Sequence, residues 1–158
     1  MATKVKKGLW ALGIAATVAH ILVFAAIAFS VLTIVSVTQT MTSYPEELFE
    51  FSGGRTPSGD YNGTLTWRIR NQGFLDIFSK FKVRLLSSTG DSLAEGSDQR
   101  RITPGTNGSL SVTLAVPSSS FERVQKAELQ LEIRTFFDLV GFSISVPMPL
   151  SPESLGRG

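Results

Sequence analysis

Between Gly8 and Pro45 the chain carries no acidic residue, no lysine and no arginine, and from Leu9 to Val37 its only strongly polar side chain is His20. As a helix, the 29 positions of that run would extend about 44 Å at the α-helical rise per residue. A bilayer core needs about 20 residues, so the run spans one with a turn or two to spare. Secretory signals have an apolar centre of about 7–15 residues followed by a cleavage site of small residues; this run is too long for that and is expected to be retained as an anchor. Lys4, Lys6 and Lys7 precede it, whereas Glu46, Glu47 and Glu50 follow it. The positive-inside rule then leaves the amino terminus in the cytoplasm and the rest of the chain outside. Trp10 and Tyr44 stand near the two ends, where interface aromatics belong.

The 158 residues divide into a basic cytoplasmic tail (1–8), a transmembrane helix (9–40), one domain (44–150) and a flexible carboxy-terminal tail (151–158). Beyond the tail lysines, twelve Lys or Arg face thirteen Asp or Glu, so the domain is nearly neutral and carries no nucleic-acid footprint. The absence of cysteine excludes a disulfide scaffold, a thiol nucleophile and a Cys-ligated metal site. The single histidine lies in the apolar run, so neither a Ser/His/Asp nor a Cys/His arrangement can be assembled on the outer domain. No phosphate loop or His-based metal motif appears, and the expectation is a non-enzymatic protein without a cofactor. Asp91, Glu95 and Asp98 in GDSLAEGSD offer carboxylates, but without the ligand periodicity of a calcium loop they read as turn solvation. Asp60, Asp76 and Asp138 likewise read as turn formers.

Past Tyr44 the apolar period shortens to two. Leu65, Trp67 and Ile69 alternate with Thr66, Arg68 and Arg70, and Phe81, Val83 and Leu85 with Lys80, Lys82 and Arg84. Ser109–Val116, Glu128–Arg134 and Gly141–Val146 repeat the pattern, which is that of strands with one face buried. Two weaker strands are expected around Glu47–Phe51 and Ser92–Glu95. The separators SGGRTPSGDYNG, SSTGD, TPGTNG and PSSS have turn composition. About seven short antiparallel strands predict an all-β sandwich of immunoglobulin-like type behind the transmembrane helix. Trp67, Phe81, Val83, Leu110, Val112, Leu131 and Ile133 are its expected shared core.

Three features bear on modification and partners. Asn62-Gly63-Thr64 and Asn107-Gly108-Ser109 are N-glycan acceptor tripeptides, and Asn-Gly is also a strong hairpin-turn signal. On the helix, Ala11, Ala15, Ala19, Ala26, Ser30 and Thr33 fall on one side. Small residues there would let a second helix approach closely, from another copy or another membrane protein, with the lipid bilayer as the general partner. His20 projects from a different side and is read as neutral, bonded to a carbonyl or a neighbouring helix, because no charged residue accompanies it.

The stretch IRNQGFLDIFSKFKVRLLSSTGDSLAEGSDQRRITPGTNGSLSVTLAVP resembles the group-two late embryogenesis abundant family, or water-stress and hypersensitive-response domain. The resemblance lies in an Asn-led turn, an alternating strand, a Gly-containing hairpin and a polar turn into another alternating strand. LEIRTFFDLVGFSISVPMPL is similar to the closing hairpin of that family, with Gly before the last strand and Pro after it. Here Gln72 stands where the family usually has Pro after the Asn. The resemblance implies a seven-stranded sandwich, membrane-tethered or secreted and without enzymatic activity. Lys6-Lys7-Gly8 before the apolar run is similar to the processing signal of archaeal type IV pilins and archaellins. That resemblance implies cleavage after Gly8, a filament core built of apolar helices and a sandwich on the outside.

Overall fold

In the computed structural model, which describes residues 2–43, 48–135 and 138–149 and helix side chains from Gly13 onward, each alternating stretch is a strand. One long helix, α1 (Ala2–Ser43), leads into β1 (Phe49–Arg55), β2 (Tyr61–Arg70), β3 (Ile77–Leu86), β4 (Ser92–Ile102) and β5 (Asn107–Val116). A single helical turn, α2 (Ser118–Phe121), then precedes β6 (Lys126–Thr135) and β7 (Gly141–Pro149). All pairings are antiparallel, with order β1-β2-β5 in one sheet and β4-β3-β6-β7 in the other. The expected β-sandwich is therefore the fold. Tyr44 and the tail 151–158 lie outside the described residues.

The side chains that alternation turns inward meet between the sheets. Trp67, Phe81, Leu110 and Ile133 are fully buried, and Val83, Val112 and Leu131 nearly so. The Trp67 and Phe81 rings meet at 5.9 Å, tilted by 59°, a favourable edge-on geometry. Both weaker strands exist and run further than their sequence suggests. β4 continues through Ser97-Asp98-Gln99-Arg100-Arg101, which shows no apolar alternation because an edge strand need not bury a face. β1 is the other sheet's edge and passes through Gly53-Gly54, so the turn itself is only Thr56–Asp60.

The Asn-Gly pairs are not turns. Asn62-Gly63 lies within β2, opposite Ala115 and Leu114, and Asn107-Gly108 opens β5 opposite Arg70 and Ile69. Asn107 follows the turn at Thr103–Thr106, where Gly105 takes the left-handed conformation (φ 76°) that a side chain resists. Each turn closes before its Asn-Gly pair, at Asp60 and at Thr106, and the glycine serves the strand instead: a Cβ at Gly63 would crowd Tyr61 and Phe51, and one at Gly108 would crowd Ile102.

The helix does not stop at the domain's edge. Ser30, Thr33 and Val37 are fully buried, Val37 belongs to the sandwich core, and Ile34 and Met41 pack against it. α1 contacts β2 and β6, on the side away from the β4–β5 seam, so its last three to four turns stand in for missing strand area. From Gly13 to Phe29, by contrast, the helix meets little of the protein, and Ile21, Leu22, Val23 and Phe24 are exposed. The expected segment 9–40 is thus one helix in two surroundings. Truncating Trp67 to Ala should destabilise the sandwich by about 3–5 kcal/mol, measured by denaturant unfolding of the full chain in detergent; a loss below about 1 kcal/mol would mean that the core does not rest on this ring.

Candidate functional site

The junction of α1 with the sandwich is the most specifically built part of the molecule. The Thr33 hydroxyl donates to the Phe29 carbonyl at 2.8 Å and accepts from the backbone N–H groups of Phe74 (3.0 Å) and Leu75 (3.2 Å). That fills its one donor and two acceptor sites. Gly73 makes the approach feasible, since a Cβ there would collide with the side chain and Cα of Thr33.

The loop that reaches the helix, between β2 and β3, is held by Asn71, which is fully buried. Its Nδ2 donates to the carbonyls of Leu75 and Ile102, both at 2.9 Å, and its Oδ1 accepts from Gly73 N–H at 3.0 Å. Its own backbone bonds Thr106 and Gly105 of the β4–β5 turn. A buried side-chain amide with its bonds made is a strong specifier of local geometry. The Asn-led turn seen in the sequence is therefore a structural pin, with Gln72 exposed beside it.

The small-residue stripe divides at this junction. Ser30, expected to face another helix, is instead covered by the chain's own sandwich, and its hydroxyl has no partner among the described residues. Thr33 is occupied as described. Ala15 and Ala19 remain exposed and Ala26 is half-buried. Gly8 and Ala11 lie in the helix but outside the residues whose side chains are described. His20 is exposed on the free part of the helix, and its Nδ1 sits 2.7 Å from the Ala16 carbonyl, a bond one turn back within its own helix. Thr17 does the same to Gly13 at 3.0 Å. Such back-bonding leaves these polar groups compatible with hydrocarbon.

Away from the helix, the sandwich is open between its edge strands β1 and β7. Phe51, Ile144, Val146 and Met148 point to the inner side yet remain exposed. Lower on the same side, where α1 packs, Phe142 is partly buried against the core. Asn62 and Asn107 are exposed.

The described acidic residues do not converge. Among the described residues no group of three His, Cys, Asp or Glu is placed to share a metal ion. Asp91 accepts from the Thr89 hydroxyl at 2.6 Å, and Asp98 accepts from Gln99 N–H at 2.8 Å and Ser111 N–H at 2.9 Å. Asp60 accepts from the Ser58 hydroxyl and from Ser118 N–H, which ties the β1–β2 turn to the start of α2. Glu95 joins a ladder across the outer face of the larger sheet: Lys82 at 2.7 Å and Arg84 at 3.1 Å, with Arg84 continuing to Glu128 at 3.2 Å.

No protein-family model matches the chain, and no curated protein does. Solved structures align with parts of it at low identity. A Bacteroides uniformis β-glucuronidase is 8% identical with a TM-score of 0.46, over 64% of this chain and 13% of that one. A glycosyl hydrolase family 2 member from Bacteroides cellulosilyticus is 8% identical with a TM-score of 0.41, over 64% and 14%. A protein from Archaeoglobus fulgidus is 12% identical with a TM-score of 0.36, over 66% and 97%. This chain therefore spans about a seventh of either glycosidase, and likenesses at this level carry no argument about its activity.

The Lys82 hydrogen bond, with Arg84 behind it, holds the Glu95 carboxyl below its usual range. A carboxylate with a lowered folded-state pKa adds stability that is present above the ordinary carboxylate value and fades as pH falls through the lowered one. Thermal melts should therefore lose part of their stability below about pH 4, and Glu95→Gln should lose less over the same interval. Equal acid sensitivity in both would remove the ladder from the account.

Proposed function

We propose that the protein is a single-pass, amino-terminally anchored module without catalytic activity, its sandwich held at the outer membrane surface as a structural or interaction domain. One observation carries this reading. Leu9 to Phe29 is 21 residues, about 31 Å of helix, close to the roughly 30 Å of a bilayer core. Burial against the sandwich begins at the next residue, Ser30. The domain starts where the hydrocarbon would end, and the polar side chains of the free part bond back to their own helix. The open side between β1 and β7, with Phe51, Ile144, Val146 and Met148, supports an interaction role.

A second reading is a pilin-like filament subunit cut after Gly8. In its favour, Val31, Leu32 and Val35 are exposed on the helix alongside the sandwich, so the apolar outer face extends past the length a bilayer requires. In that assembly the helices bury this face against one another.

Protease added to intact cells or right-side-out vesicles should digest the sandwich and leave a fragment of roughly the first 40 residues in the membrane, with the protein requiring detergent for extraction. Full protection of the sandwich would reverse the orientation, and mature protein beginning at Leu9 in filaments sheared without detergent would replace the anchor by the filament.

A further inference from the structure

The free part of α1 and the lower end of the sandwich meet at an apolar tip. Phe74 is 62% exposed and its ring centroid lies 5.6 Å from that of Phe29, itself 45% exposed. Because the N–H groups of Phe74 and Leu75 are bonded to Thr33, the height of this ring along the helix is fixed. A second exposed apolar residue, Leu139, sits in the β6–β7 connection. That connection belongs to the same end: Thr135, which closes β6, pairs with Ile77, which opens β3 directly after the Phe74 loop, and Thr135 N–H bonds the Val140 carbonyl at 2.9 Å.

The charges at this end lean positive. Asp76 is paired with Arg101, and Arg134 is paired with Glu132 with Asp138 nearby at 3.8 Å. Arg70 and Arg100 line a cleft that runs from Gln72 up α1 to Thr40, and neither has a carboxylate partner among the described residues.

We propose that this end of the sandwich is seated at the headgroup boundary of the bilayer, with Phe74 and Leu139 at the hydrocarbon edge and the Arg70–Arg100 cleft above them on the headgroup side. The proposal rests on the reading of α1 as a membrane span and adds the docking of the domain itself. With Phe29 at the end of the span, Phe74 stands at the same depth by direct contact. Val31 and Leu32 rise about 3–5 Å further, within a headgroup layer roughly 5–7 Å deep, and Val35, about 9 Å up, stands just past it. An aromatic ring held at that depth, with arginines above it, matches the polarity gradient of the interface. The helix and the rigid loop fix one orientation of the sandwich on the membrane, so the open β1–β7 side is presented laterally.

The chain has no cysteine, so single nitroxide labels can be placed without background. Full-length Phe74→Cys, Leu139→Cys, Phe24→Cys and Ser88→Cys variants would be labelled and reconstituted in vesicles of phosphatidylcholine and phosphatidylglycerol. Collision with oxygen, which concentrates in lipid, is then compared with collision with a water-soluble nickel chelate. Position 24 should be oxygen-dominated and position 88, in the turn at the far end, nickel-dominated. Positions 74 and 139 should shift clearly toward oxygen relative to 88. If 24 is lipid-like while 74 and 139 match 88, the seating is wrong and the span survives. If 24 is nickel-accessible, or shielded from both reagents as in a helical filament core, the span itself fails and the seating falls with it.

Discussion

Everything distinctive about this molecule depends on the bond between one helix hydroxyl and one loop. Without the contact of Thr33 with Phe74 and Leu75, the chain would be a long apolar helix, a linker and a small sandwich free to swing. With it, helix and sandwich share a core through Val37, and the axis of the helix sets the orientation of the domain. The contact is specific because each participant is constrained. Thr33 is saturated, Gly73 leaves room for it, and Asn71 holds the loop in the one shape that offers two adjacent N–H groups to the helix.

The sandwich itself gains from this arrangement. Its smaller sheet has only three strands against four, so one side of the larger sheet lacks a cover. The last turns of α1 fill the lower half of that side, and the upper half stays open. A small domain without disulfides has little stability to spare, and core burial supplied by the helix helps to offset the missing strand. The same economy leaves apolar side chains of β7 and β1 uncovered.

The strands were legible because each buried one face: the seven residues named as a shared core from alternation alone are all in it. What alternation could not show was the extent of β1 and β4, edge strands with little to bury, or that Asn-Gly would fall inside strands. The small-residue stripe was legible as a close-packing surface, yet at Ser30 and Thr33 what packs against it is the chain's own sandwich and loop. A spacing of small residues says that something approaches, and only tertiary structure says whether it is another helix or the chain's own loop. Asn71 was visible as a turn residue, but its role as a five-bond pin depends on the β4–β5 turn some thirty residues away and has no local signature.

The claim that helix and sandwich form one body can be measured at two amides. In the full chain in micelles, hydrogen exchange at Phe74 and Leu75 should be slow, although both lie in a surface loop, and Thr33→Val should release them while leaving the central strands β3 and β6 protected. Exchange at these two amides as fast as at Thr89 and Gly90 in the far turn, with Thr33 intact, would mean that the helix and the sandwich are hinged rather than joined.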